Sequence, residues 1–170
     1  MNIFQITKGA TKFTEDQMAV LMDVLRRYSQ TDDGNWLQDI DYEGISYRWS
    51  PAMEDSYVQA ACPLIGKSIY TMPRGESPGY WVLLISPAIV HELRHKWQRK
   101  NNAIKYLICS IISRIAILIS EDLYMKVPTE KDAFNQQDIT APTACGTAKT
   151  KFEYIANSFD TLNSSLIAIR

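Results

Sequence analysis

Two residue types that often build functional sites are scarce in this sequence. Its 170 residues include only two histidines and three cysteines. Cys62, Cys109 and Cys145 are unevenly spaced and form no C-x-x-C pair, which argues against a disulfide framework and fits a reducing compartment. Neither charge sign dominates, because 18 Lys and Arg face 19 Asp and Glu, for a net charge of −1 at pH 7. The sequence therefore has no overall attraction to nucleic acid or to an anionic membrane surface.

Long apolar runs are also missing. The longest run extends from Ala103 to Ile119, includes Lys105 and Arg114, and is short for a membrane span. The first residues, Met1 to Lys8, lack the apolar core of a signal peptide. We expect a cytoplasmic protein without a membrane segment. Residues 1–170 are predicted to form one domain, since a chain of this length can bury a sizeable core.

The first half of the chain predicts a helix followed by a small sheet. Thr14 and Gln17 have the spacing of a capping box, and apolar residues at helical spacing follow, which predicts a helix from about Glu15 to Tyr28. Three short β-prone segments come next, each stopped by a proline, and their spacing is typical of a mainly antiparallel sheet. The segments are Ile45 to Trp49, Tyr57 to Cys62 and Lys67 to Met72.

The second half predicts helices, so the fold class is α+β. Ser86 and Pro87 resemble an N-cap and an N1 proline, which would start a helix that ends near Arg99. The run before it, Trp81 to Ile85, fits a strand or a helical turn equally well. Three further helices are predicted: Ala103 to Leu123, apolar almost all round and thus expected in the core; Val127 to Gln137; and an amphipathic C-terminal helix marked by Phe152, Ile155, Ala156, Phe159, Leu162 and Leu166.

Both histidines fall in one motif on the helix that contains Pro87. His91, Glu92 and His95 form H-E-x-x-H, and residues four apart lie on the same helix face. The two imidazoles can therefore bind one metal ion, with Glu92 beside it to act on a water molecule. Ile89, Leu93 and Trp97 form a separate, core-facing stripe on the same helix.

A catalytic zinc site needs a third protein ligand and an open position for water. No histidine remains, and although cysteine is an alternative ligand, a carboxylate is expected to complete the set. The chemistry of the residues leaves several downstream candidates open: Glu121, Asp122, Glu130, Asp132 and Asp138.

With this motif the sequence resembles the zincin metallopeptidases. Residues 130–133 are similar to the E-x-x-A element that supplies a third, glutamate ligand in small bacterial and phage zincins of the ImmA/IrrE type. The resemblance implies a zincin-like fold in which His91, His95 and Glu130 bind Zn²⁺ and Glu92 is the general base. It also implies a protein or peptide substrate. Asp132 and Glu121 are the next candidates for the third ligand.

The resemblance does not extend to two better-known zincin subgroups. The extended metzincin motif has glycine and histidine where this chain has Gln98 and Asn101. The thermolysin-like E-x-x-x-D pattern is missing as well, because Phe134 stands four residues after Glu130 and Met125 four residues after Glu121. The match therefore covers the motif helix and, more loosely, the third-ligand helix.

Two alternatives accompany the peptidase hypothesis. A non-catalytic zinc-binding regulatory or interaction domain would keep the two histidines but would not need Glu92. A nucleic-acid-associated protease of the SprT-like kind is suggested by the basic turn Lys96, Arg99 and Lys100, but the net charge disfavours nucleic acid as a partner. The residues indicate neither the substrate nor the oligomeric state. Three side chains are suited to support an oxyanion, although none is assigned that role: Arg94, Tyr124 and Tyr154.

Overall fold

A computed structural model describes residues 3–54, 59–63, 66–72 and 78–141 as an α+β fold. The α-helices are α1 (Ile3–Thr7), α2 (Glu15–Ser29), α3 (Pro78–Asn101), α4 (Ala103–Ile119), α5 (Glu121–Lys126) and α6 (128–141). The strands are β1 (Thr11–Lys12), β2 (Ser46–Trp49), β3 (Ala60–Ala61) and β4 (Ser68–Thr71), and two short 3₁₀-helices cover Asn35–Asp39 and Pro51–Met53. The predicted C-terminal helix, Cys145 and Tyr154 lie outside the described residues.

Helix α2 confirms the prediction from the capping box. The Thr14 hydroxyl accepts a hydrogen bond from the Gln17 amide, and the Gln17 side chain accepts one from the Thr14 amide. This exchange satisfies two amides that have no partner within the helix. Leu21, Val24 and Leu25 then point into the core with no solvent exposure, and the helix ends one residue after its predicted end.

The predicted sheet is present but mixed. Its strand order is β1-β2-β4-β3. Pairings β1–β2 and β3–β4 are antiparallel, as a mainly antiparallel sheet requires, whereas the central pairing β2–β4 is parallel. Along the chain, β3 runs opposite to β2 at the far edge of the sheet, and β4 then reverses direction again and lies between them, so β4 runs in the same direction as β2. Short strands with similar alternation do not show their direction in the sequence.

Helix α3 begins earlier than predicted. It starts at Pro78, so Trp81 to Ile85 belongs to the helix, and Pro87 lies inside it rather than at its first turn. A proline cannot donate to the carbonyl four residues before it. Here the Ser86 hydroxyl donates to the Leu83 carbonyl at 2.8 Å, which supplies the missing partner. Ser86 therefore supports the middle of a helix and does not cap one.

The main core lies between α2, α3 and the sheet. Ile89 and Leu93 are fully buried among α2 side chains and Ile69 of β4, and Trp97 packs at the edge of this cluster. The predicted core-facing stripe of α3 is thereby confirmed. No helix within the described ranges is long and apolar enough to cross a bilayer.

The prediction that the apolar helix after Asn102 lies in the core is wrong. This helix ends at Ile119, because extended backbone at Ser120 separates α4 from α5. The buried side chains of α4 are Cys109, Ser113 and Ala116. Its large side chains instead form an exposed surface, which we call the apolar face of α4: Ile104, Leu107, Ile108, Ile111, Ile115 and Leu118.

Candidate metal centre

One turn of α3 brings the two histidines together. The Nε2 atoms of His91 and His95 are 3.1 Å apart, and their rings are nearly perpendicular, at 86°. Both side chains are buried, with 6% and 8% exposure. Two imidazoles that bond to water would not be expected to turn their Nε2 atoms toward each other. A third group must therefore hold the two rings in this arrangement.

The partner is Glu130, which α6 supplies from its first turn. Its Oε2 atom lies 3.6 Å from His91 Nε2 and 3.3 Å from His95 Nε2. A tetrahedral zinc with bonds of about 2.0–2.1 Å places neighbouring ligand atoms about 3.3–3.4 Å apart. The three sides of the triangle, 3.1, 3.3 and 3.6 Å, are close to that spacing. His91, His95 and Glu130 therefore form a buried group that could bind a metal ion.

Side chains from two other helices hold the Glu130 carboxylate. Ser113 of α4 donates to Oε1 at 3.0 Å, and Tyr124 of α5 donates to Oε2 at 2.7 Å. Phe134, one turn further along α6, packs its ring against His91 with centroids 4.4 Å apart. The sequence identified Phe134 only as a departure from the thermolysin-like pattern, yet its i+4 spacing from Glu130 places it on the same helix face.

Gln98 fixes the orientation of His95, a role that the sequence analysis did not predict. Its amide nitrogen donates to the Thr129 carbonyl and to Asp132, so its oxygen must face His95 Nδ1, at 3.0 Å. An oxygen acceptor there requires a proton on Nδ1, so in the neutral imidazole the Nε2 lone pair is directed at the centre of the triangle. The sequence spacing could have indicated this role, because Gln98 lies seven residues after His91 and therefore on the same helix face.

Opposite charges inside the group shift its pKa values strongly. Burial raises the pKa of the Glu130 carboxyl, but hydrogen bonds from His91 and His95 outweigh burial and hold the pKa well below its usual range. Burial lowers the pKa of His95, but the Glu130 hydrogen bond and the charge of Glu92 outweigh it and raise the pKa to about 9. The metal-free group therefore carries an ion pair at neutral pH.

Glu92 lies beside the group but is not a member of it. Burial raises the pKa of its carboxyl, and the neighbouring His95 and His91 oppose that rise. The Cys62 backbone amide, just after β3, donates to the Glu92 carboxylate. The carboxylate is therefore oriented toward the end of β3, and it is not among the groups that could hold the metal ion.

The other candidate ligands lie elsewhere. Asp132 forms a two-point ion pair with Arg94, at 2.7 and 3.1 Å, and also accepts from Gln98. Glu121 is exposed in the first turn of α5. The structure thus places Glu130, rather than these two carboxylates, against the histidines, and it also leaves Asp122 and Asp138 exposed.

The basic turn of α3 makes contacts of its own. Lys96 donates to the Gly66 carbonyl at 3.2 Å, and Lys100 donates to the Asp39 carbonyl. The Arg94 guanidinium stacks over Trp97 at 4.0 Å from the ring centroid. These cations have structural roles, and Arg94 in particular is held by Asp132, away from the triangle of ligand atoms.

A groove of about 290 Å³ runs beside the site on the Gln98 side, between α3, α4 and the start of α6. Trp97, Tyr106 and Pro128 give it apolar walls, while Gln98 and Asp132 give it polar ones. Near this site, His91 Nδ1 is buried without a hydrogen-bond partner among the described residues. A hydrogen bond to Gln98 therefore fixes the ring of His95, whereas no described residue bonds to Nδ1 of His91.

Comparison with known proteins adds no relative to this description. No family model, curated protein or solved structure matches the chain.

Proposed function

We propose that the chain is a zinc-dependent metallopeptidase with a zincin-like active site. The observation that carries the proposal is the triangle of His91, His95 and Glu130 ligand atoms, whose sides match tetrahedral zinc coordination. Two imidazoles and a carboxylate are a donor set that suits zinc. Glu92 supports an enzyme rather than a structural site, because a structural site has no use for a general base beside the metal ligands.

In this mechanism, separate residues of the chain have separate roles in peptide hydrolysis. Zinc bound by the triangle would polarise a carbonyl and lower the pKa of a coordinated water to about 7. Glu92 accepts the proton of the attacking water and passes it to the leaving amine. Its raised pKa suits both steps, because a carboxyl that titrates nearer neutral pH can accept a proton and then release it. Gln98 and Ser113 keep His95 and Glu130 in place throughout.

The Glu92→Gln variant tests this division of roles. We expect it to retain one zinc per chain, measured by elemental analysis, and to lose cleavage of an unfolded protein substrate. Glu121→Gln is the matched control, because it makes the same change at an exposed position, and it should cleave like the unmodified protein. Unchanged cleavage by Glu92→Gln would exclude it as the base.

One observation favours a second candidate, the non-catalytic zinc domain. All three candidate ligands are less than 10% exposed, whereas a catalytic zinc keeps one coordination position open to water or substrate. The two functions differ in whether a fourth position accepts an external ligand. For the peptidase, a hydroxamate should change the visible spectrum of the cobalt-substituted protein, whereas a structural site should leave that spectrum unchanged.

A further inference from the structure

The apolar face of α4 needs a partner. Five of its six Ile and Leu side chains recur every three or four residues from Ile104 to Leu118, and the sixth, Ile108, is adjacent to Leu107. Each of the six is more than half exposed. They form a continuous strip along a helix of 17 residues, about 25 Å long. Monomeric proteins rarely leave a strip of this extent uncovered, and such patches usually mark a contact with another segment or molecule.

We propose that residues 152–166 of the same chain cover this face as an amphipathic helix. Their apolar residues also recur every three or four positions, from Phe152 through Phe159 to Leu166. A helix of 15 residues is about 22 Å long, which nearly matches α4. Two apolar stripes of the same period and length can pack along each other by ordinary helix-on-helix contact.

The connection between the two helices is long enough. The start of α6 lies beside α4, because Val127 and Pro128 line a groove together with Ile112 and Ile115. The 14 residues of α6 then carry the chain about 21 Å away. Residues 142–151 span up to about 33 Å when extended, so they can bring the next residues back to α4.

Two arguments favour this segment over other occupants. Because the segment is tethered, its effective concentration at the face is on the order of millimolar, which a second copy reaches only in concentrated solution. A membrane-surface helix usually has Lys and Arg on its polar side, whereas residues 152–166 contain Glu153 and Asp160 and no basic residue. These acids complement Lys105 and Arg114, which are exposed on α4.

Intrachain cross-linking of the full chain tests the proposal. The native cysteines are first removed by the substitutions Cys62→Ser, Cys109→Ala and Cys145→Ser. One new thiol is then placed on each of the two segments by Ile111→Cys and Phe159→Cys. At low micromolar protein a short bis-maleimide should join most chains internally. The control pair, Asp16→Cys with Phe159→Cys, places one thiol on exposed α2 and should react at least tenfold less. Equal reaction of both pairs, or products that link two chains, would overturn the proposal.

Hydrogen exchange of the chain with its native cysteines provides a test that does not depend on the cysteine replacements. Peptides from α4 should be protected in the unmodified protein, and Phe159→Asp should raise their exchange rate at least tenfold while α2 peptides stay unchanged. If Phe159→Asp leaves α4 exchange unaltered, the segment does not cover the face. If α4 becomes protected only when vesicles of mixed neutral and anionic phospholipid are added, the occupant is a membrane and the proposal is wrong.

Discussion

The Gln98→Leu variant gives a quantitative test of the metal centre. Gln98 makes three hydrogen bonds: one with His95 Nδ1 at 3.0 Å, one to the Thr129 carbonyl at 2.9 Å and one to Asp132 at 2.8 Å. The first sets the tautomer of His95, and the other two tie α3 to the helix that carries Glu130. Leucine has a similar size but can make none of these bonds, so the variant loosens two metal ligands at once.

Loss of a partner that orients a metal ligand typically weakens metal affinity tenfold to a hundredfold. We therefore expect the zinc dissociation constant of Gln98→Leu to rise by about that factor, or about 1.4–2.8 kcal/mol. Competition with a chromogenic chelator measures this value. Gln59→Leu, the same change at an exposed site, should bind zinc normally. A Gln98→Leu protein that folds and binds zinc within twofold of the unmodified chain would refute the role assigned to Gln98.

Two further predictions concern pH and the helix that carries the motif. In the metal-free protein the pKa of His95 is raised to about 9 from an ordinary value of 6.5, and the pKa of Glu130 is lowered from its ordinary value of 4.5. Their ion pair therefore stabilises the fold fully between pH 4.5 and 6.5, and this stabilisation is lost as the pH rises through 9. Chemical unfolding should show this loss in the metal-free chain but not in His95→Gln, and a stability that is flat from pH 6 to 10 would contradict it. Ser86→Ala should cost about 1–3 kcal/mol in unfolding free energy, because Pro87 cannot bond to the Leu83 carbonyl that Ser86 leaves unpaired. Adding Pro87→Ala should recover most of that loss, and a double variant no more stable than Ser86→Ala would show that the carbonyl is not the cause.

Local patterns predicted those parts of the fold that depend on neighbouring residues. The capping box at Thr14 and Gln17 predicted where α2 begins, because both bonds form within one turn. The placement of His91 and His95 on one helix face likewise follows from their spacing, whereas the 3.1 Å approach of their rings also depends on Glu130.

Features that depend on distant contacts were harder to predict. An apolar helix was expected in the core, but α4 turns small residues such as Ser113 inward, where Ser113 bonds to Glu130. An apolar stripe in a sequence indicates that one face of a helix makes a contact, but it does not indicate which segment or molecule makes that contact. The parallel β2–β4 pairing and the packing of α6 against α3 likewise depend on residues far apart in the chain. The sequence resemblance selected Glu130 among five carboxylates, but its distance to the histidines emerges only from that packing.

X-ray absorption at the zinc edge tests the central claim most directly. If His91, His95 and Glu130 bind zinc, protein reconstituted with one equivalent should show two imidazole nitrogens and oxygen ligands at about 2.0–2.2 Å. Sulfur scattering at about 2.3 Å, or a first shell without imidazole, would contradict the account.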